Sequence, residues 1–242
     1  MLLAFEGWND AGEAASSAAR FLAEAMQGAP LAELDPEEFY DFTVNRPRVY
    51  QGAGGMRRLE WPSVSFQYGA ACDERALVVG VGPEPHLRWR RFGDEVVGLA
   101  HRFGVRRAVL LGAFLADVVY SRPVRVSGFA SKPEWGLRLA LEPSGYEGPT
   151  GIVGVLADRL GRAGIEVVSL WAGLPHYIEA SPNPRGALAL VQKASVFLGM
   201  PVDEVPLRTA AAEFEERISA LVASDPALSE YVRALKKREF AQ

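Results

Sequence analysis

Asn9 and Asp10 stand directly after the apolar run Leu2-Leu3-Ala4-Phe5-Glu6, inside the turn Gly7-Trp8-Asn9-Asp10-Ala11-Gly12. In an open α/β sheet the carboxyl ends of strands face ligands and partners. An amide and a carboxylate held there, beside the ring of Trp8, could line a crevice for a small molecule. The plainer alternative is that Asp10 caps the following helix while Trp8 packs against the domain. Glu84 repeats the arrangement after a second apolar run, in Gly82-Pro83-Glu84-Pro85 with Arg88 and Trp89 just beyond. Two prolines stiffen that loop and hold the carboxylate in one place. Glu84 either faces the crevice or makes a local bridge to Arg88, which contributes little if exposed. Asp117 and Arg122 follow a third run, either as a pair ordering their loop or as part of the crevice wall. Tyr146-Glu147-Gly148-Pro149-Thr150-Gly151 enters a helix whose free N–H groups suit an anion, unless Thr150 caps them itself. His176 follows a fourth run, after Gly173-Leu174-Pro175. Together these groups fit a small-molecule site that hydrolyses, transfers or senses.

Several chemistries lack their residues. The three histidines, His86, His101 and His176, have no metal-ligand spacing, and no HExxH occurs. There is no G-x-S-x-G elbow for a serine nucleophile. Cys72 is the sole cysteine and precedes Asp73-Glu74, acidic neighbours that disfavour a thiolate. Arg88, Arg90 and Arg91 suit phosphate, but Gly80-Val81-Gly82 lacks the third glycine of a dinucleotide cradle and runs into proline. No metal and no cofactor is expected.

The elements that must position these groups are legible as alternating periods. Continuous apolar runs at Ala76–Gly82, Ala108–Gly112 and Glu166–Ala172 predict strands covered on both faces, as in a parallel sheet. Helices are expected over Ala11–Met26, Arg90–Phe103, Thr150–Arg162 and Pro184–Leu198. Asp35-Pro36 should open a short helical turn. Arg58–Tyr68 reads as extended with a break at Pro62, and Val124–Gly128 as an edge or antiparallel strand. After Pro206 only helix is visible, over Leu207–Ser224 and Pro226–Phe240 with Asp225 as the cap between them. The order predicts an α/β fold: a three-layer α/β/α sandwich with a mostly parallel sheet over residues 1–205, then a C-terminal helical hairpin over 206–242.

Composition sets the outer limits. Hydrophobic residues make up 49% of 242, enough for a full core, and the net charge of −4 argues against a broad nucleic-acid surface. No apolar run reaches ~18 residues and no signal segment opens the chain, so no membrane partner is expected. A lone cysteine suits a reducing cytoplasm.

Six segments, in order, resemble the actinobacterial branch of the proteasome assembly chaperone (PAC2) family: GWNDAGEAA at 7–15, DPEEFYDFTVNRP at 35–47, GPEPHLRW at 82–89, DVVYSRPV at 117–124, YEGPTGIVGVL at 146–156 and SLWAGLPHYI at 169–178. The resemblance implies a sandwich similar to nucleoside phosphorylases with a helical extension. It also implies a non-enzymatic, oligomeric protein that guides assembly of proteasome subunits. The archaeal type docks through a C-terminal hydrophobic-Tyr-X tail, whereas Ala241 occupies the tyrosine's place here. Tyr120-Ser121 stands where this branch carries Pro-His-Thr before Arg-Pro.

Two readings therefore stand side by side: a chaperone-like scaffold binding protein partners, proteasome-related ones by resemblance, and a small-molecule site in a nucleoside-phosphorylase-like pocket. At least two of Asp10, Glu84 and Asp117 are expected to share one depression, with Arg88 or Arg122 compensating their charge. Self-association, with a trimer as the leading form by analogy, is expected to survive removal of the tail. Phe39, Tyr40, Phe42, Tyr50 and Trp61 crowd a region poor in helix and are the candidate interface rings.

Overall fold

The computed structural model describes residues 1–72, 75–143 and 145–239. In chain order the elements are β1 Leu2–Glu6, α1 Ala14–Ala25, β2 Ala29–Glu33, α2 Pro36–Phe39, β3 Arg48–Gln51, β4 Arg57–Glu60, β5 Ser65–Cys72, β6 Arg75–Pro83 and α3 Trp89–Arg102. They continue with β7 Arg107–Ala116, β8 Val126–Ala130, α4 Pro133–Arg138, β9 Glu142–Pro143, α5 Ile152–Arg162, β10 Glu166–Pro175, α6 Pro184–Leu198, α7 Val205–Ser224 and α8 Pro226–Glu239.

One mixed sheet runs β2-β5-β6-β1-β7-β10-β8-β9. Its centre, β6-β1-β7-β10, is parallel, and it contains the runs around Phe5, Val79, Leu110 and Val168. β5 and β8 flank that centre antiparallel, as the alternation at Val124–Gly128 allows. Successive side chains of a strand point to opposite faces. Leu2 and Ala4 accordingly join one core with α1 and α6, while Leu3 and Phe5 join the other with α3 and α5. The small residues of α1, Ala15, Ala18, Ala19 and Ala23, let it lie close on the sheet and on α6. This is the expected α/β/α sandwich.

Asp35 caps α2, accepting a hydrogen bond from Glu37 N at 3.0 Å. α7 and α8 close a third apolar cluster in which Phe214, Ile218, Val222, Val232 and Leu235 bury Val119 and Ile178. The helical extension therefore packs over loops from the carboxyl edge of the sheet.

Several expectations change. Phe39 and Tyr40 are 2% and 3% exposed and belong to their own core, so they leave the list of interface rings. A tyrosine hydroxyl explains part of this, because Tyr40 donates to Pro83 O at 2.7 Å. The backbone of Cys72 closes β5, whereas Asp73, Glu74 and Phe240 fall outside the described residues. The extended stretch Arg58–Tyr68 divides at Pro62 into β4 and the start of β5, as expected, whereas β2, β3 and α4 carry no clear period because they are exposed or very short.

Candidate functional site

The carboxyl edge of the sheet holds two separate polar knots. The first begins where β1 ends. Gly7, at φ +100, turns the chain, and Asn9 O accepts from Ala113 N at 2.8 Å, which extends the strand pairing with β7 past the turn. This seats Asn9 fully inside the protein. Its Nδ2 donates to Glu84 Oε1 at 2.7 Å, and the same oxygen accepts from Ile152 N at 2.7 Å. A carboxylate from the β6 loop thus sits on the N-terminus of α5, where unpaired N–H groups and the helix dipole favour negative charge. Thr150, the expected cap, is exposed, and the residue bordering the helix is Gly151, which makes no side-chain cap. The reason is space: a Cβ at Gly151 would lie 2.2 Å from Asn9 Oδ1. The helix end and the asparagine are pressed together, and a long-range glutamate supplies the cap.

Asp10 turns the other way. Its Oδ1 accepts from Ala15 N at 2.7 Å and Ser16 N at 3.1 Å, so it holds the start of α1 as its capping alternative foresaw. Burial pushes its carboxyl above the ordinary 3.8, opposed by hydrogen bonds from Ser16 and Ala15, with the charge of Glu6 adding to the rise. Asn9 Oδ1 and Asp10 Oδ2 are buried with no hydrogen-bond partner among the described residues. Trp8 is 63% exposed and lies on a cavity of about 1080 Å³ together with Glu84, His86, Tyr50 and Trp61.

The second knot lies beyond β7 and β10. His176 Nε2 stands 2.9 Å from Asp117 Oδ1 and 2.8 Å from the hydroxyl of Tyr231, which donates to Asp117 Oδ1 at 3.2 Å. Tyr177 supports it, donating to Val118 O at 3.0 Å and accepting from Tyr120 N at 2.9 Å. The rings of His176, Tyr177 and Tyr231 meet edge to face at 5.3–5.6 Å. The set pins α8 to the sheet edge. The His176 ring therefore ties Tyr231 of α8 to Asp117 at the end of β7.

The three candidate carboxylates do not gather around one charge-compensating arginine. Glu84 joins Asn9, Asp10 faces α1, and Asp117 joins α8. Arg88 instead pairs with Glu38 of α2, which also meets Arg91 at 2.8 Å, and Arg122 reaches Glu239 at 3.4 Å. Each arginine finds an acid delivered by another element before the one near it in sequence. Trp89 Nε1 donates to Pro85 O, locking the proline loop to α3, and Tyr146 donates to Pro149 O at 2.9 Å within its own turn. Ile152 N, Glu38, Tyr231 and Glu239 were not legible as site residues. Each arrives from tens of residues away, and only Gly151, next to a helix start, carried a local signal. No group of histidine, cysteine, aspartate and glutamate among the described residues has the geometry to hold a metal.

The PAC2 family profile matches residues 4–222. The chain belongs to the PAC2 family. It is similar to the Mycobacterium tuberculosis proteasome-assembly chaperone homologue Rv2125, with 40% identity, a TM-score of 0.87, and coverage of 96% of this chain and 98% of that one. A PAC2 family protein from Streptomyces avermitilis matches equally well, at 40% identity and a TM-score of 0.86 over the same shares of both chains. The fold extends to the archaeal proteasome activator PbaB of Pyrococcus furiosus, at 19% identity, a TM-score of 0.68, and coverage of 91% and 92%. No curated protein matches this chain. In this PAC2 protein both polar knots fall inside the matched segment apart from Tyr231. No helix among the described residues is long and apolar enough to cross a membrane.

Proposed function

We propose that this PAC2 protein is a chaperone-like scaffold of the cytoplasm that binds protein partners, proteasome subunits first among them, and associates with itself. The observation that carries this reading is the 40% identity, over nearly the full length of both chains, to a proteasome-assembly chaperone homologue. The geometry supports it: Asp10, Glu84 and Asp117 are each engaged in holding a helix end or a helix in place. Groups so engaged build a rigid edge for docking, as a scaffold needs.

The small-molecule reading keeps one observation in its favour, the cavity of about 1080 Å³ at the carboxyl ends of β1 and β6, where ligands of α/β sheets are met. Affinity purification of the tagged chain from its native host separates the two. Recovery of a defined protein partner in near-stoichiometric amount supports the scaffold. A nucleoside or phosphorylated metabolite that raises the melting temperature, with no protein recovered, sinks it. At 100 times its Kd such a ligand stabilises by ~2.7 kcal/mol.

A further inference from the structure

Residues 44–61 form an arm that the main sheet does not use. β3 and β4 pair with each other as a separate two-stranded sheet and are exposed along their whole length. A lone hairpin of two strands is marginally stable in water. This one nevertheless carries Val44, Val49, Tyr50, Met56, Leu59 and Trp61, exposed between 42% and 75%. Register places Val49 opposite Leu59 on one face and Tyr50 opposite Arg58 on the other; Tyr50, Arg58 and Leu59 border the large cavity, and Val49 does not. So much exposed apolar surface on one short element marks an interaction site.

Charge indicates the occupant. The arm holds Arg46, Arg48, Arg57 and Arg58 against Glu60 alone, a net +3 in a chain of net −4, which leaves −7 on the remainder. None of these four arginines forms an ion pair with a described residue, although Arg48 and Glu60 are opposite in register. Two arms laid edge to edge would set +3 against +3, and like charges across a strand pair are destabilising. An arm approaching the body of another copy meets a remainder of opposite net charge, −7 summed over the sequence, and long-range attraction favours that encounter.

We propose that the arm of one copy docks on the acidic body of a second copy, its Val49–Leu59 face buried and its arginines paired across the contact. The inference rests on the self-association proposed above and assigns it to the arm, away from the C-terminal helices. Such a contact is reciprocal in a dimer or runs head to tail around a closed ring.

The test is the mass in solution of the full chain, by light scattering and sedimentation. The comparison is with a variant whose residues 48–60 are replaced by a short Gly-Ser linker, and with the double variant Arg57→Glu, Arg58→Glu. The full chain is expected to be oligomeric and to dissociate as salt rises, because screening weakens exposed pairs. The linker variant is expected to be monomeric with unchanged circular dichroism. The charge-reversed pair should weaken association about tenfold or more. A folded linker variant that keeps the wild-type mass overturns the arm as interface and leaves self-association standing. A monomeric wild-type chain at about 100 μM overturns both. Should the linker variant misfold, the charge-reversed chain decides, and an unchanged dissociation constant there overturns the proposal.

Discussion

The two polar knots at the sheet's carboxyl edge differ in what their acids hold. Glu84, half-buried at the cavity wall, receives Ile152 N and Asn9 Nδ2, two donors that belong to fully buried residues. Asp117 receives the side chains of His176 and Tyr231; Asp117 and His176 are exposed and Tyr231 is half-buried, so water can reach the carboxylate and replace its partners. Removing a buried partner strands a donor and incurs its desolvation cost, whereas removing an exposed one exchanges one hydrogen bond for another. The first knot should therefore determine whether the domain is assembled, and the second only how firmly α8 is held.

The comparison is most easily broken at Glu84. Glu84→Ala orphans both donors and should destabilise by about 3 kcal/mol, read as a lower urea midpoint. A loss no larger than that of Asp117→Ala would erase the distinction between the knots. Gly151→Ala comes next, since the added methyl would stand 2.2 Å from Asn9 Oδ1. Overpacking of this kind costs about 2 kcal/mol, and Asn9→Ala in the same chain should return part of it. Strict additivity of the two substitutions would show that they do not meet.

Asp10 supplies a smaller effect with a definite sign. Its folded-state carboxyl is raised by burial, so its contribution is full below its ordinary 3.8 and is lost as pH rises through the folded value. Asp10→Asn keeps an oxygen for Ala15 N and Ser16 N and never ionises. Wild type should gain on this variant as the solution is acidified from neutrality toward pH 4. Urea midpoints of the two proteins that stay parallel across that range would remove burial as the controlling influence. Tyr231→Phe should change least: its signature is faster amide exchange confined to α8, with the midpoint of global unfolding unmoved. Exchange that accelerates in the central strands as well would mean that the second knot also holds the domain.

Legibility in the sequence followed the same division. The four central strands, their covering helices and the Asp35 cap were readable because each repeats a local period or sits beside the helix it serves. Asp10 belongs with them, since its partners lie five and six residues away. Glu84 was recognisable as a carboxylate held rigidly at a strand end, but its partner was not. Arg88, four residues on, offered the nearest opposite charge, yet it pairs with Glu38 while Glu84 binds Ile152 N. The ring cluster at 39–61 divided for the same reason. Phe39 and Tyr40 are core because α2 packs on β6 and α3; Phe42 packs half-buried on the same core and meets the Trp61 ring at 4.8 Å, while Tyr50 stays exposed on the separate hairpin.

By itself, then, the sequence determined the sandwich, the parallel centre of its sheet, the helical extension and family membership, all of which depend on apolar periodicity and on segments kept in order. Only the tertiary structure decided that Glu84 caps α5, that Asp117 and His176 hold α8, and that residues 44–61 stand off as an arm. Apolar burial is non-directional and repeats along the chain, so a pattern reveals it. Polar pairing is directional and short in range, with no period, and its partners exist only once the fold has brought distant loops to the same edge.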